Sequence, residues 1–497
     1  MSADAAGPEP VTVERERAVV AAVPTGLLLD GRWRDASGGA RIPVEDPATG
    51  EVLTDVADAT AEDARSALEA AVAAQEGWAG TAPRERGELL RRAFELTVER
   101  GEDLALLMTL EMGKPLAESR AEVTYGAEFL RWFSEEAVRA YGRWSTAPNG
   151  ASRLLTMKQP VGPCYAITPW NFPLAMATRK IGPALAAGCT MVLKPAAQTP
   201  LTALAFAQVL LDAGLPDGVV QVLPTSDAGA LTAPLLGDPR LRKVTFTGST
   251  PVGRRLVAQA AENLQRVSME LGGNAPFLVF ADADLEAAVD GAVLAKMRNI
   301  GEACTSANRF LVHADVAEEF SARLAERLGA MPVGRGTDPA SKVGPLITRE
   351  ARQGVHALVG EAVSAGARVL TGGEPVAGPG AFYPPTVLTD VPHDARLRRE
   401  EIFGPVAPVS TFTDDDEAVR SANDTEYGLV AYLFTRDVSR AVRVSERLQF
   451  GMVGLNQGVV SNPAAPFGGV KASGFGREGG AEGIEEYLDT KYVGLAV

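Results

Sequence analysis

Between Cys164 and Phe280 the chain alternates short, almost wholly apolar runs with segments of helical periodicity, and that pattern admits few folds. The runs cover residues 164–168, 190–193, 219–223, 244–246 and 276–280; helical segments over 173–187, 200–213, 228–236 and 252–261 fill the gaps. Apolar runs without polar alternation are buried on both faces, and helices between them imply a parallel sheet covered on each side. Ligands of such sheets bind beyond the carboxyl ends of the strands. Chemistry is therefore expected in the residues that follow each run.

Three of those ends carry suitable groups. Pro169-Trp-Asn-Phe-Pro173 follows the first run, Lys194-Pro-Ala-Ala197 the second and Thr247-Gly-Ser-Thr-Pro-Val-Gly253 the fourth. Gly248 and Ser249 open a helix whose positive end suits a pyrophosphate, although the spacing is not G-x-G-x-x-G and a plain turn and cap explains it too. Lys194 reads either as a cation for a ribose or phosphate or as an ordinary surface lysine.

The stretch from Met269 to Phe310 supplies a carboxylate, Glu270, and a thiol, Cys304, joined by a buried run and a helix over 284–298. A thiolate attacks carbonyl carbon, and a carboxylate in a mostly apolar pocket activates water against the resulting acyl-cysteine. Free cysteines are more often buried and inert. The small and polar neighbours Gly301, Thr305, Ser306 and Asn308 favour an accessible thiol instead. A second alternating region runs to about Gly469, with E-E-I-F-G-P over 400–405 and P-F-G-G-V-K over 466–471.

At 497 residues the chain exceeds one ordinary core, so two or three domains are expected. The net charge of −15 argues against nucleic-acid binding, which needs excess Lys and Arg. Three cysteines form no disulfide framework and suit a reducing cytoplasm. His313, His356 and His393 lack metal-ligand spacing, so no metal is expected. Apolar stretches are interrupted, and no membrane span is expected. Residues 1–24, with four acidic side chains and no apolar core, read as a disordered extension. Short strands over 26–56 precede helices over 64–78, 84–100 and 104–132, the last interrupted at 113–115. Extended pieces over 151–163 and 487–495 are exposed strands that either pair with another subunit or form edges within one chain.

Seven motifs stand in a familiar order: I-T-P-W-N-F-P around Asn171, V-L-K-P-A around Lys194, F-T-G-S around Gly248, M-E-L-G-G-N around Glu270, G-E-A-C around Cys304, E-E-I-F-G-P around Glu401 and A-P-F-G-G-V-K near Lys471. In these the chain resembles the aldehyde dehydrogenase superfamily after about its first 25 residues, and within it is most similar to the bacterial succinate-semialdehyde dehydrogenases. The resemblance implies an α/β fold: a modified Rossmann cofactor domain over 25–145 and 164–272, an α/β catalytic domain over 273–472, and a β oligomerisation arm over 146–163 and 480–497.

It also implies roles. Cys304 attacks the aldehyde, and the thiohemiacetal oxyanion is held by the Asn171 amide and the Cys304 backbone N–H. Hydride leaves to the nicotinamide, and Glu270 activates the water that hydrolyses the thioester. Thr168, Trp170, Lys194, Ala197, Gly248, Ser249, Leu271, Glu401 and Phe403 match cofactor-binding positions, while Arg179, Arg298 and Ser461 match the anchor for the substrate's far carboxylate. Ala197 stands where members favouring NAD commonly carry an acid, so NADP is expected, with NAD also possible. The implied partners are a small aldehyde and a second copy of the chain, as a homodimer or homotetramer. Alternatives are another ω-carboxylated aldehyde such as glutarate semialdehyde, or a silent binding protein on the same fold. Glu302 stands where the family usually has Gln, which raises the thiol pKa only if the carboxylate turns inward. Ser306 replaces a second cysteine of many succinate-semialdehyde enzymes, so no disulfide forms with Cys304.

Overall fold

The structure is a computed structural model and describes residues 11–496. Five parallel strands form the centre of its first sheet, in the order Arg266–Glu270, Lys243–Thr247, Cys164–Ile167, Met191–Lys194 and Val220–Val222. In chain order these are the fifth, fourth, first, second and third, so the winding reverses between Cys164–Ile167 and Lys243–Thr247. A crevice opens at that reversal. Every residue of Cys164–Ile167, Met191–Lys194 and Lys243–Thr247 is buried, which is what unbroken apolar runs require.

Helices Pro173–Ala187 and Pro200–Asp212 begin on proline, where the missing N–H leaves no hydrogen bond unmade. Register aligns the strand ends: Ile167 lies opposite Lys194, and Thr247 opposite Glu270. Thr168, Lys194, Thr247 and Glu270 therefore emerge along one edge. Leu27–Leu29 with Arg32–Arg34 closes one side of the sheet, and Gly474–Phe475, returning from far along the chain, closes the other, all antiparallel.

The second sheet has the order Arg368–Thr371, Thr386–Thr389, Val406–Phe412, Ala307–His313, Ala275–Val279, Val430–Phe434 and Met452–Leu455. Phe277 anchors its core, with ring centroids 4.9 Å from Phe434 and 5.2 Å from Phe310. A third sheet stands apart: Leu488–Ala496 pairs with Ser152–Pro160 over nine residues, and Arg143–Thr146 pairs with the other edge of Ser152–Pro160. No residue of Ser152–Pro160 is fully buried. The arm sheet thus begins at Arg143, earlier than the expected 146, because R-W-S-T completes the ladder across a turn.

The expected disordered extension over 1–24 is corrected in its second half. Val13–Ala21 is a helix capped by the Thr12 hydroxyl, with Val19 and Val20 buried, and Glu16 pairs with Arg335 at 2.8 Å. Residues 1–10 lie outside the described residues. No helix among the described residues is long and apolar enough to cross a membrane.

Candidate active site

The two larger sheets meet around one cavity, lined by Trp170, Asn171, Gly248, Ser249, Glu270, Leu271, Cys304, Glu401 and Phe403 together with Pro169, Met176, Thr247 and Gly272. The first sheet delivers Asn171 and Glu270 from its strand ends. Cys304 comes from the lead-in to Ala307–His313, and Glu401 and Phe403 from the loop before Val406–Phe412.

Two glycines make this convergence possible. A Cβ on Gly273 would lie 2.2 Å from the Cys304 carbonyl oxygen, so only glycine lets the turn after Glu270 pass Cys304. The helix Leu285–Met297 ends in a turn where Asn299 (φ 55°), Ile300 (φ 62°) and Gly301 (φ 80°) are all left-handed. A Cβ on Gly301 would lie 2.3 Å from the Gly404 carbonyl oxygen. Backbone against backbone, the turn that leads to Cys304 is docked on the Phe403 loop.

Electrostatics follow from burial. Cys304 keeps partial exposure to the cavity, yet the surrounding protein pushes its thiol up to about 12. Arg179 and Arg298 oppose that rise, while Glu401 and Glu270 add to it. Glu302 is not among these neighbours: its carboxyl accepts a 3.1 Å hydrogen bond from the Ile347 N–H, and its own pKa is raised by burial. In the unliganded protein, alkylation of Cys304 by iodoacetamide is therefore expected to rise about tenfold per pH unit from pH 7 to 10 without levelling. A plateau near pH 8 would show a thiol far less enclosed.

Glu270 is 4% exposed, its Oε2 has no hydrogen-bond partner among the described residues, and burial followed by the charge of Glu478 raises its pKa well above the ordinary carboxylate value. Behind it, Lys180 bonds both Glu478 and the Thr247 hydroxyl, the latter at 2.7 Å. Burial opposes ionisation of Glu478, but Arg179 and Lys180 outweigh it and hold that carboxyl below its ordinary range. The Asn171 amide donates to the Glu302 carbonyl at 2.9 Å and leaves its Oδ1 unpartnered.

The remaining expected residues divide into two groups. Arg179, Arg298 and Ser461 lie outside the cavity lining, as do Thr168, Lys194 and Ala197 at the adjoining strand ends, with the Thr168 N–H donating to the Lys194 carbonyl at 3.1 Å. Lys194 is not a surface lysine: it is 7% exposed, and burial lowers its amine to about 8. Trp170 and Phe403 meet edge-to-face at 5.4 Å, and Glu401 accepts from the Gly273 N–H at 2.9 Å. Arg298 and Ser461 come together at 3.4 Å, and the guanidinium lies over the Tyr125 and Phe172 rings at 5.3 and 5.1 Å. Arg179 is 2% exposed, its Nη2 2.7 Å from Glu478 and its guanidinium stacked 4.0 Å from Phe467, so it is a buried, paired charge.

Sequence reasoning missed Lys180, Glu478, Lys114 and Glu122. One signal was present: Arg179 and Lys180 are consecutive cations in an otherwise apolar, fully buried helix, which demands a buried acid somewhere. Among the described residues, no group of three or more His, Cys, Asp or Glu is arranged to hold a metal.

Comparison with known proteins agrees with this geometry. Residues 33–493 match the model of the aldehyde dehydrogenase family. The chain is 64% identical to a succinate-semialdehyde dehydrogenase of Paenarthrobacter nicotinovorans, across 90% of this chain and 99% of that protein. It is 50% identical to a glutarate-semialdehyde dehydrogenase of Pseudomonas aeruginosa, across 94% of this chain and 96% of the other. A crystal structure described as an E. coli NADP dependent enzyme superposes with a TM-score of 0.94 at 48% identity, covering 96% of this chain and 98% of that one. On its sequence, its fold and the cavity where its two sheets meet, the chain belongs to the aldehyde dehydrogenase family.

Proposed function

We propose that this protein oxidises succinate semialdehyde to succinate, with NADP as hydride acceptor. The observation that carries the reading is a cavity shared by a thiol, an amide donor and a buried carboxyl, Cys304, Asn171 and Glu270, with the Arg298–Ser461 pair joined to the same turn. Cys304 loses its proton to solvent and adds as the thiolate to the aldehyde carbon, and Asn171 with the Cys304 N–H takes the developing oxyanion. NADP, when bound, accepts the hydride that turns the thiohemiacetal into a thioester. Glu270 then removes a proton from water as it attacks the acyl carbon. Since Glu270 acts deprotonated and burial raises its pKa, hydrolysis quickens as pH rises.

The crevice suits that cofactor on several counts. The helix Thr250–Ala260 points its N-terminus toward the strand ends beside Gly248 and Ser249, a place for a pyrophosphate. Glu401 and Phe403 suit the nicotinamide ribose and ring. Among the described residues Lys194 has no acidic partner, and Ala197 offers no charge to repel a 2′-phosphate. Ala197→Glu is expected to raise the KM for NADP about tenfold or more while that for NAD moves less than about threefold. Equal changes would remove Ala197 from cofactor choice.

Arg298 and Ser461, with Arg179 nearby though paired to Glu478, suit a carboxylate at the far end of a short aldehyde. Arg298→Met is expected to lower kcat/KM for succinate and glutarate semialdehydes about 10- to 100-fold, and for butanal less than about threefold. An equal loss on all three aldehydes would end the anchoring role, and a preference for the longer semialdehyde would make glutarate semialdehyde the substrate.

We assign the first sheet's body to cofactor binding, the second's to the nucleophile and the three-stranded sheet to subunit contact. Met452–Leu455 has one neighbour strand, and the arm exposes Trp144 and Tyr492, which favours a homodimer or homotetramer. Light scattering at the monomer mass would remove that assignment. Free thiols at Cys164, Cys189 and Cys304 suit the cytoplasm.

A further inference from the structure

We propose that Lys114 is a positioning residue for the oxyanion site, acting through the main chain of Asn171; this rests on the oxyanion role given to Asn171 above. Lys114 is 0% exposed and spends its ammonium on two acceptors, Glu122 Oε2 at 2.5 Å and the Asn171 carbonyl at 2.7 Å. Glu122, also buried, turns its other oxygen to the N–H groups of Leu174 and Ala175 at 3.0 and 3.1 Å. One buried ion pair therefore fixes both ends of the turn from Asn171 into the helix Pro173–Ala187.

The same turn is tied to the nucleophile through a single carbonyl. The Glu302 oxygen, two residues before Cys304, accepts from the Asn171 side-chain amide and from the Asn299 side-chain amide, both at 2.9 Å. Asn299 also donates to the Asn171 carbonyl at 3.1 Å, and its own N–H donates to Glu118 at 3.1 Å. One hydrogen of the Asn171 amide is thus fixed on Glu302, which aims the other and leaves it for an oxyanion on the aldehyde carbon. The separation between that hydrogen and the Cys304 N–H is set by the frame of Lys114, Glu122 and Asn299. An oxyanion hole works only when its donors are held in place before charge develops. A buried ammonium bonded to a main-chain carbonyl is a stiff way to hold one, since leaving either group unpaired in the interior is costly.

The test is a double-mutant cycle on the full-length enzyme, read as the single-turnover rate of reduced-cofactor formation. Lys114→Met/Glu122→Gln removes the ammonium and its counter-charge while Gln keeps an oxygen for Leu174 and Ala175. It is expected to slow the single-turnover rate about 10- to 100-fold, with KM within about threefold. Alkylation of Cys304 should stay within about twofold, because it needs the thiol and not the oxyanion donors. Adding Asn171→Ala should slow the enzyme no further than Asn171→Ala alone, because both act through one amide. Multiplying effects, an unchanged rate with only a lower Tm, or equal losses in alkylation and turnover would overturn the proposal. A fast Asn171→Ala enzyme would instead remove the oxyanion role itself, and the two failures are told apart by that single variant.

Discussion

Glu270→Gln is expected to convert the enzyme into one that turns over once. Mixed with succinate semialdehyde and NADP, it should release close to one reduced cofactor per site in a burst, followed by a steady rate about 10²- to 10⁴-fold below that of the unaltered protein. Gln preserves the shape of the side chain at a position that is 4% exposed, so the cavity keeps its packing. What is lost is the ability to accept a proton. In the proposed mechanism the first half-reaction uses Cys304 and Asn171, not this carboxyl, so hydride transfer should proceed. The thioester then waits for unassisted water. An unchanged steady rate would mean that another group supplies the base, Glu478, whose charge acts on Glu270, being the first candidate.

Cys304→Ser is expected to lower turnover by at least about 10⁴-fold and to remove the burst entirely. The hydroxyl is a far weaker nucleophile than the thiolate, and no neighbour compensates. Burial already pushes the thiol up to about 12 in the unliganded protein, and Glu270 and Glu401 add negative charge beside it. A hydroxyl, with a much higher intrinsic pKa, is placed worse still. Binding of reduced cofactor, followed by fluorescence, should change less than about threefold, because the proposed cofactor contacts Lys194, Gly248 and Glu401 are untouched. Residual turnover within a factor of about ten would deny covalent catalysis through this residue.

Much of the architecture was legible because burial on both faces writes itself into unbroken apolar runs. The four strands from Cys164 to Thr247 and the chemistry at their ends could be read without coordinates. The fifth, Arg266–Glu270, could not, because R-V-S-M-E is not an unbroken apolar run, and 276–280, read as the next run of this region, belongs to the second sheet. Pairs that rest on distant partners could not. Lys180 and Glu478 lie 298 positions apart and Lys114 reaches the Asn171 carbonyl across 57, so neither has a local pattern. The helix Val13–Ala21 was obscure for a similar reason. Its charged sequence buries only a narrow face, and Glu16 finds Arg335 only in the folded chain. Arg179 was half legible: its presence in an apolar helix called for a partner, but nothing nearby in sequence named Glu478.

The central claim is that Cys304 carries the acyl group which Glu270 releases. Peptide mapping by mass spectrometry of Glu270→Gln protein, quenched after incubation with succinate semialdehyde and NADP, tests it directly. The predicted result is one succinyl group on Cys304, in amount equal to the reduced cofactor released. Reduced cofactor formed with Cys304 unmodified, or the acyl group found on another residue, would contradict the account.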